Sequence, residues 1–367
     1  MSSPSLAQLR SYAVSRTLFK PATLAAAVDR LGFVQADPIR SPARAQDLTL
    51  RHRVRAYRAG DLDRQYERLG LEEDFFVNYG FLRPEHRALM HPRSPRQAWS
   101  VAQAEQAQAV WRFVRERGVV HPRDVHAQFK LGLTRNWFGG TSNASTQLLD
   151  AMHYRGLLRV ARRDGGTRVY AATQPLPAPQ GSGEVHARLD ALIDLVVHKY
   201  APLPSASLSQ LVAYLRGGAP QWSALYGAAL ERARQRLAGA WVDGVHWYWP
   251  AAERCAARRW QSPDDVRLLT PFDPLVWDRR RFEMLWGWAY RFEAYTPAHR
   301  RQLGYYALPL LWRDQVIGWG NVAVVDGALR AQIGYVSGRA PREAGFRAAL
   351  QAELERLECF LGLSPTA

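Results

Sequence analysis

Gln35 and Asp37, separated by one residue, are the two side chains in this sequence that could carry out a hydrolysis together. In an extended segment residues i and i+2 point the same way, so both would face one site while Ala36 faces the core. A carboxylate can accept a proton from water and stabilise a positive charge that develops beside it. A glutamine amide can hold that water in line. Taken alone, the pattern fits a structural role better, with Asp37 capping the following turn and Gln35 bonded to backbone.

Other catalytic signatures are missing from the sequence. It contains no phosphate-binding Gly-rich motif, no His-Glu-x-x-His and no Cys-x-x-Cys. The pairs His86/His91 and His121/His126 are spaced five residues apart, which is poor for a shared metal on one helix face. We therefore interpret these histidines as surface or hydrogen-bonded residues and predict no metal site.

The charge balance predicts an anionic partner. The chain has 49 lysines and arginines against 33 acidic residues, a formal net charge of +16, and its only lysines are Lys20, Lys130 and Lys199. A basic surface of this size favours a polyanion, because each neutralised phosphate releases condensed counterions. The alternative is that arginine reflects genomic base composition and the excess is solvated surface. Because the excess is spread along the chain, it indicates an extended contact surface and not a basic tail.

Cysteine usage and hydropathy predict a cytoplasmic protein. Cys255 and Cys359 lie far apart in the sequence, which fits a reducing compartment, although a single disulfide between them is possible. No stretch approaches the roughly 20 apolar residues that span a bilayer. The N-terminal segment lacks the pattern of a signal peptide.

The N-terminal part predicts the order helix, helix, strand. Helical spacing over residues 5–16 is followed by a second helix after Pro21 that ends at Gly32. A short apolar strand then covers residues 33–36 and ends before Pro38. This order is found in winged-helix cores.

The same plan is clearer at residues 105–172. Two helical segments precede a third helix that starts near Thr141-Ser142-Asn143, which has good N-cap chemistry. Two strands then flank the turn Asp164-Gly165-Gly166, and Asp-Gly between alternating strands is a strong hairpin signal. Four arginines on this hairpin indicate a basic wing, although they could merely keep it soluble: Arg159, Arg162, Arg163 and Arg168.

A third copy follows the Pro/Gly-rich linker at 173–183 and closes with a hairpin around Asp243-Gly244. From about residue 253 onward, aromatic-rich strand-like runs precede a C-terminal helix. The predicted fold class is therefore mainly α with β, with three tandem winged-helix units that form a concave basic surface, plus a C-terminal β-rich element. The predicted segments are 1–97, which carries the Gln-x-Asp motif, 98–175 and 176–252 for the winged helices, and 253–367 for the C-terminal domain.

Two sequence blocks carry a resemblance to a known family. The first is Leu-Gly-Phe-Val-Gln-Ala-Asp-Pro-Ile at 31–39, followed by Pro-Ala-Arg-Ala-Gln at 42–46. The second is Leu-Thr-Pro-Phe-Asp-Pro-Leu-Val-Trp-Asp-Arg-Arg at 269–280, continued by Tyr-Arg-Phe-Glu at 290–293 and Gly-Tyr-Tyr-Ala-Leu-Pro at 304–309. This arrangement resembles the AlkZ/YcaQ bacterial DNA glycosylases, a winged-helix DNA-binding family, in the Gln-x-Asp form of the YcaQ branch. The resemblance spans about residues 5–350, and the second block is its specific part.

The sequence departs from the family pattern at two places. Gln46-Asp47 stands where many members have His-His, and Phe-Val-Asn-Tyr-Gly at 76–80 replaces a Trp-Ala-His segment. If the family histidines assist binding or chemistry, that assistance is absent or remodelled here, and the substrate range could differ.

The resemblance implies a monofunctional DNA glycosylase that removes N-alkylated, cationic N7 or N3 purines from duplex DNA, with crosslinked or bulky adducts as further candidates. It assigns catalysis to Gln35 and Asp37. A base alkylated at N7 or N3 already carries a positive charge and leaves without a general acid, so one carboxylate and one amide could suffice. The scarcity of lysine favours water over a Schiff-base nucleophile, with Lys20 left open. The resemblance implies no metal, no organic cofactor and no obligate protein partner.

The residues expected to contact DNA are arginines near the motif and on the predicted wing. Such a protein would be cytoplasmic and associated with the nucleoid, with no membrane contact. The predicted DNA-binding residues are Arg40, Arg44, Arg51, Arg159, Arg162, Arg163 and Arg168.

Two functions of other classes stay open at this point. One is a transcriptional regulator that uses the same winged helices, with Gln35 and Asp37 structural. The other is an RNA-binding or nucleoid-associated protein that uses its arginines for phosphates only. Release of free base from alkylated duplex would separate the enzyme from both.

Overall fold

Helices and strands alternate along the chain in a mixed α/β architecture, seen in a computed structural model that describes residues 3–95, 97–135 and 141–363. The helices are α1 Leu6–Thr17, α2 Leu24–Leu31, α3 Ala45–Leu50, α4 Asp61–Leu69, α5 Pro84–Ala88, α6 Val101–Arg117, α7 Pro122–Phe129, α8 Ala144–Tyr154, α9 Gly181–Tyr200, α10 Ser205–Gly218, α11 Tyr226–Arg236, α12 Arg279–Trp286 and α13 Ala344–Leu361. The strands are β1 Phe33–Gln35, β2 Glu72–Phe75, β3 Tyr79–Leu82, β4 Val119–Val120, β5 Leu133–Arg135, β6 Thr141–Asn143, β7 Leu158–Asp164, β8 Thr167–Ala172, β9 Leu203–Pro204, β10 Ala238–Val242, β11 Val245–Trp249, β12 Val266–Leu268, β13 Leu308–Trp312, β14 Gln315–Val325 and β15 Ala328–Tyr335.

One order of elements recurs along the described chain: helix, strand, helix, helix and a two-stranded hairpin. It is formed first by α2, β1, α3, α4, β2 and β3, and last by α9, β9, α10, α11, β10 and β11. The middle copy, α6, β4, α7, α8, β7 and β8, has the small hairpin β5–β6 inserted before α8. In the middle and last copies the first strand pairs with the final strand, giving sheet orders β4-β8-β7 and β9-β11-β10. The sequence analysis missed the hairpin β2–β3 of the first copy.

Left-handed backbone positions fall where the sequence predicts turns. The β7–β8 turn is Gly165-Gly166 with φ of 57° and 94°, and the β10–β11 turn is Asp243-Gly244 with φ of 49° and 76°. Both pairs satisfy the requirement of a tight hairpin for two positive φ angles, so these two predictions are confirmed. The helix predicted near residue 143 does begin there, but the Asn143 side chain makes no capping hydrogen bond.

The chain divides into two units, each built from discontinuous segments that cut across the predicted segments 1–97, 98–175, 176–252 and 253–367. That four-part division stays a prediction about order along the chain. Unit one comprises residues 1–62, 193–211 and 230–367, and unit two comprises residues 63–192 and 212–229.

Unit one contains the predicted C-terminal β-rich element. Strands β12, β13, β14 and β15 form an antiparallel sheet in that order, and α13 packs against β12. Helix α1 contacts the loop after β11 in the same unit. Glu253 of that loop accepts hydrogen bonds from the Tyr12 hydroxyl and from Arg16 Nε of α1, both at 2.8 Å. The predicted β-rich element and terminal helix are confirmed.

Unit two has an acidic pair at the centre of its interior. Asp74 on β2 is 1% exposed and accepts hydrogen bonds from Arg93 Nη1 at 2.9 Å and from His91 Nε2 at 2.7 Å. Its neighbour Glu73 is fully buried and pairs with Arg163 of β7. The net effect of Arg93 and His91 is to lower the pKa of Asp74 against the opposing effect of burial. These buried charges are paired, as low-dielectric surroundings require.

The cysteines and histidines have structural surroundings. Cys255 is buried and Cys359 exposed, and both are free thiols, so the disulfide left open by the sequence is absent. His121 caps α7, and His126 lies 3.2 Å from Ser145 Oγ. Among residues 3–95, 97–135 and 141–363, no three His, Cys, Asp or Glu side chains are grouped to hold a metal ion, and no helix is long and apolar enough to cross a membrane.

Candidate active site

The strand β1 brings the Gln-x-Asp motif to the edge of a buried segment. Phe33 and Val34 are fully buried, Gln35 is 5% exposed, and Ala36 and Asp37 are half-buried. The strand ends at Gln35. Ala36 is half-buried, so the expectation that it faces the core while Gln35 and Asp37 share one site stays a prediction.

The Gln35 side chain contains a buried polar atom without a partner. Its Oε1 has no hydrogen bond with any described residue, so the backbone-bonded interpretation of Gln35 finds no support. A buried acceptor left unsatisfied costs about 1–3 kcal/mol. A buried acceptor of this kind usually receives a hydrogen bond from a water or a ligand.

Asp37 is held by its neighbours but has no cationic partner in the described part of the chain. Its Oδ1 accepts from the backbone N–H of Ile39 at 2.9 Å, and its own N–H donates to Gln46 Oε1 at 3.3 Å. Partial burial raises the pKa of Asp37, and the Ile39 N–H opposes this. The turn-capping role considered for Asp37 thus uses one carboxylate oxygen and leaves the other available.

Gln46 and Asp47, the positions where many family members have histidines, have structural contacts here. Gln46 is 2% exposed and holds the backbone of Asp37. Asp47 Oδ1 accepts from the Tyr57 hydroxyl at 2.7 Å and from the Gly60 N–H at 3.0 Å, which fixes the loop before α4. These contacts were not predictable from the sequence, since they depend on the path of the chain after α3.

A group of aromatic rings extends from the vicinity of Asp37 to the surface. Burial raises the pKa of Tyr306, and the charge of Asp37 raises it further, so the two groups interact electrostatically. Phe292 lies 5.3 Å from Tyr306, 5.3 Å from Phe272 and 6.1 Å from Tyr295, measured between ring centroids. Tyr295 is 80% exposed. We call Phe272, Phe292, Tyr295 and Tyr306 the aromatic group.

The long block at 269–280 is held together by ion pairs and hydrogen bonds, although Asp278 Oδ2 and Arg281 Nε are buried without a partner in the described chain. Asp273 forms two hydrogen bonds with Arg53, at 2.8 and 3.0 Å, and both side chains are fully buried. Asp278 caps α12 by accepting from the Arg281 N–H at 3.1 Å. The buried Arg281 guanidinium donates to the carbonyl oxygens of Tyr200, Pro274 and Leu275.

Lys199, a residue that the sequence analysis did not single out, lies beside β1. It is 3% exposed, and its Nζ donates to the carbonyl oxygen of Phe33. Burial, with a smaller contribution from the charge of Arg53, lowers the pKa of Lys199 to about 7, and Asp273 opposes the shift. Lys20, which the sequence left open as a nucleophile, is exposed.

Comparison with known proteins identifies the family. A family model described as DNA glycosylase AlkZ-like matches residues 28–360, most of the chain. The chain belongs to the AlkZ-like DNA glycosylase family. It is thus a DNA glycosylase, an enzyme of DNA repair that hydrolyses N-glycosyl bonds, and the resemblance found in the sequence is confirmed. The structure is similar to Streptomyces sahachiroi DNA glycosylase AlkZ, with a TM-score of 0.63 and 18% identity over 98% of each chain, a likeness that shows the shared fold.

In this glycosylase the arginines predicted near the motif differ in availability. Arg40 is exposed, and Arg44 is half-buried at the start of α3. The side chain of Arg51 is only 3% exposed, and its Nη2 donates to Glu353 Oε1 at 2.5 Å and to the Leu268 carbonyl at 3.0 Å. Arg51 therefore forms a structural ion pair, and its predicted contact with DNA stays a prediction.

The arginines of the β7–β8 hairpin divide in the same way. Arg163 pairs with the buried Glu73 at 2.5 and 2.7 Å, and Arg168 pairs with Asp150 at 3.2 Å. The exposed Arg162 pairs with Asp164 on the same hairpin, at 3.0 Å, and Arg159 is half-buried. The basic wing expected from the sequence is thus smaller, because Arg163 and Arg168 already neutralise carboxylates.

Proposed function

We propose that this glycosylase removes cationic N7- or N3-alkylated purines from duplex DNA, with Asp37 and Gln35 as its catalytic residues. The observation that carries the proposal is the placement, two residues apart, of a buried amide acceptor without a partner and a half-buried carboxylate with one oxygen not hydrogen-bonded to the protein. Gln35 Oε1 is buried without a partner, and one oxygen of Asp37 is free of protein contacts within the described chain. Perturbed carboxylates without structural partners are characteristic of functional sites.

The reaction uses these two groups on one water molecule. Gln35 Oε1 accepts a hydrogen bond from the water, and the free Asp37 oxygen accepts a proton as the water oxygen bonds to C1′ of the deoxyribose. The bond between C1′ and the purine nitrogen breaks, and its electron pair neutralises the charge of the alkylated base. The Asp37 charge also stabilises the positive charge that develops on the sugar. The base leaves neutral without needing a general acid.

The aromatic group supports a large, flat substrate. Its rings extend from the buried Tyr306, whose pKa the charge of Asp37 raises, to the exposed Tyr295. Aromatic side chains stack on bases, at about 1–3 kcal/mol per base, with little sequence preference. We include crosslinked and bulky adducts among the substrates on this basis, because such a surface accommodates a base with large substituents.

The recurring order of helices and strands supports DNA binding by winged-helix units. In a winged helix one helix of the core enters a groove and the hairpin contacts backbone. We assign the three copies this role, with Arg40, Arg44, Arg159 and Arg162 contacting phosphates. The concave shape predicted from the sequence, the YcaQ-type branch and the nucleoid location stay predictions.

The structure also supports water and not lysine as the nucleophile. Lys199 has the lowered pKa that amine nucleophiles use, but its Nζ is buried and donates to a backbone carbonyl of β1. We expect sodium borohydride to trap no covalent enzyme–DNA complex during excision. If borohydride does trap a complex, and the trapping is lost in Lys199→Met but kept in Lys20→Met, the mechanism is a Schiff-base reaction at Lys199 and not hydrolysis by water.

Release of free base from defined duplexes tests the proposal. A duplex with one 7-methylguanine should lose that base in a single turnover, whereas the unmodified duplex should stay intact. A matched duplex with 1-methyladenine, which carries a charge but not on N7 or N3, provides the specificity control. Release of 1-methyladenine with no release of 7-methylguanine would overturn the substrate assignment and leave the glycosylase class intact.

A further inference from the structure

Unit one contains a cavity of about 690 Å³ that none of the motif residues 35–37 lines. We propose that this cavity binds a phosphate-bearing ligand of nucleotide size. Its lining is arginine-rich, and we call it the arginine cavity. The lining includes Arg51, Arg55, Arg58, Arg267, Tyr57 and Phe360.

The charges of the lining favour an anion. Five arginines line the cavity against two carboxylates, Asp265 and Glu355. Arg267 already pairs with Asp265, and Arg51 and Arg356 both pair with Glu353. Arg55 and Arg58 therefore contribute the positive charge that is not neutralised by described residues. Burial lowers the pKa of His52 well below its ordinary value, so this residue is neutral. Guanidinium groups present planar forks of donors that match phosphate oxygens, and several around one cavity suit a ligand with more than one negative charge.

Arg51 provides a buried donor that lacks an acceptor. Its side chain is 3% exposed, and Nη2 is bonded to Glu353 and to the Leu268 carbonyl. Its Nε is buried and has no hydrogen-bond partner in the described chain. A buried N–H on a cationic group is expected to have a partner, and a ligand oxygen in the cavity that Arg51 lines would supply it.

Arg55 and Arg58 add charge at the mouth of the cavity. Both are exposed, and neither forms an ion pair with any described carboxylate. Arg55 donates only to the Pro21 carbonyl, at 3.2 Å. Their loop is fixed by the bridge between Ala22 and Val54 and by the bond from the Arg55 N–H to the Ala22 carbonyl at 3.0 Å. The two unpaired guanidinium groups are therefore held beside the cavity by ordered backbone.

The cavity lining also has an apolar part, which suits the base and sugar of a nucleotide. The rings of Tyr57 and Phe360 are stacked, with centroids 6.2 Å apart and an interplanar angle of 16°. The volume lies within the range of about 300–1,000 Å³ that is usual for small-molecule sites. A free nucleotide and a phosphate of the DNA backbone share the chemistry that the arginines recognise.

Titration with inorganic pyrophosphate tests the cavity without reference to excision, so the proposal does not rest on the catalytic assignment. The full chain should bind pyrophosphate by calorimetry at about 100 mM salt. The double variant Arg55→Glu/Arg58→Glu should bind roughly 10-fold or more weakly, since each removed contact is a charge-assisted hydrogen bond. The matched control is Arg330→Glu/Arg347→Glu, which changes net charge equally at two exposed arginines of the same unit outside the cavity.

The outcomes distinguish the two sources of phosphate. If a 16-base-pair undamaged duplex displaces pyrophosphate, the cavity receives DNA backbone; if both bind together, it receives a free ligand, and dGMP should then bind as well. Failure of the wild-type chain to bind pyrophosphate would overturn the proposal. An equal loss in the Arg330/Arg347 control would also overturn it, because the binding would then reflect net charge. The milder Arg58→Ala should weaken binding in the same direction if the double variant does not fold.

Discussion

The Gln-x-Asp segment on β1 and the block at 269–280 differ in what their charged side chains contact. In the block, Asp273 pairs with Arg53, Asp278 caps α12, and the Arg281 guanidinium donates to three carbonyls, although Asp278 Oδ2 and Arg281 Nε have no hydrogen-bond partner among the described residues. In the short segment, the Gln35 acceptor has no partner in the described chain, and Asp37 uses one oxygen. The block is the more recognisable in sequence, yet its side chains are engaged in holding the fold.

This difference shows why a long sequence signature need not mark the chemistry. A buried ion pair restricts both partners, because removing one leaves an uncompensated charge in the interior. A catalytic pair carries no such stability requirement, and it can be kept at some expense in stability. The two regions should therefore respond oppositely to substitution: the block should lose stability, whereas the segment should lose activity.

The largest effect is expected for Asp37→Asn. Loss of a positioned base should lower single-turnover release of 7-methylguanine by about 10²–10⁴, and loss of the charge that stabilises the sugar adds to this. Because burial raises the pKa of Asp37, the ionised carboxylate destabilises the fold above that pKa. The variant should accordingly melt at or above the wild-type temperature and bind undamaged duplex normally. Wild-type excision rates in Asp37→Asn would remove the catalytic assignment.

The second effect concerns the block. Asp273→Asn leaves Arg53 buried without its charge partner and should lower the free energy of unfolding by about 3–5 kcal/mol. Urea denaturation measures this, with Asp264→Asn as a control at an exposed pair with Arg313. The excision rate per folded molecule should stay within a few-fold of wild type. A folded Asp273→Asn variant that is as inactive as Asp37→Asn would break the comparison between the two regions.

Third, the rate of excision should fall in acid. Asp37 must be ionised to accept a proton, and its pKa is raised by burial, so the acid limb should lie above the ordinary aspartate value of about 3.9. Below that pKa the rate should drop about 10-fold per pH unit. Spontaneous depurination is subtracted with the Asp37→Asn variant. A profile that stays flat down to an ordinary aspartate pKa would show that the ionisation of Asp37 does not limit the reaction.

The sequence predicted the elements and the motif far better than the surroundings of the motif. Hairpin turns at Gly165-Gly166 and Asp243-Gly244 were predictable because positive φ selects glycine and aspartate locally. The approach of Lys199 to Phe33, and of Tyr306 to Asp37, depends on chain paths that local patterns do not specify. The ion pairs of the arginine-rich hairpin were not predictable for the same reason, since the partner of Arg163 is Glu73, distant in sequence.

The fourth prediction is a smaller loss of excision rate, for Gln35→Met, that is not accompanied by a loss of stability. Gln35→Met removes the unsatisfied acceptor and keeps the volume of the side chain. The loss of one hydrogen bond to the water should lower excision by roughly 10-fold. Stability should be unchanged or higher, because a buried carbonyl without a partner in the described chain is replaced by an apolar group. A clear loss of stability would mean that Gln35 is bonded within the fold and is structural.

The smallest effect is expected for Arg40→Ala, which tests whether the exposed charge beside the motif serves DNA. Arg40 is exposed three residues after Asp37, and Arg280 is exposed at the end of the block. If Arg40 neutralises one phosphate, its removal should weaken binding of undamaged duplex a few-fold and reduce the slope of log K against log salt by about 1. Arg280→Ala removes the same charge from the structural region and should leave the slope unchanged. Equal slopes for the two variants would mean that DNA binding depends only on the net charge of the chain. The two regions would then differ in chemistry and stability but not in DNA binding.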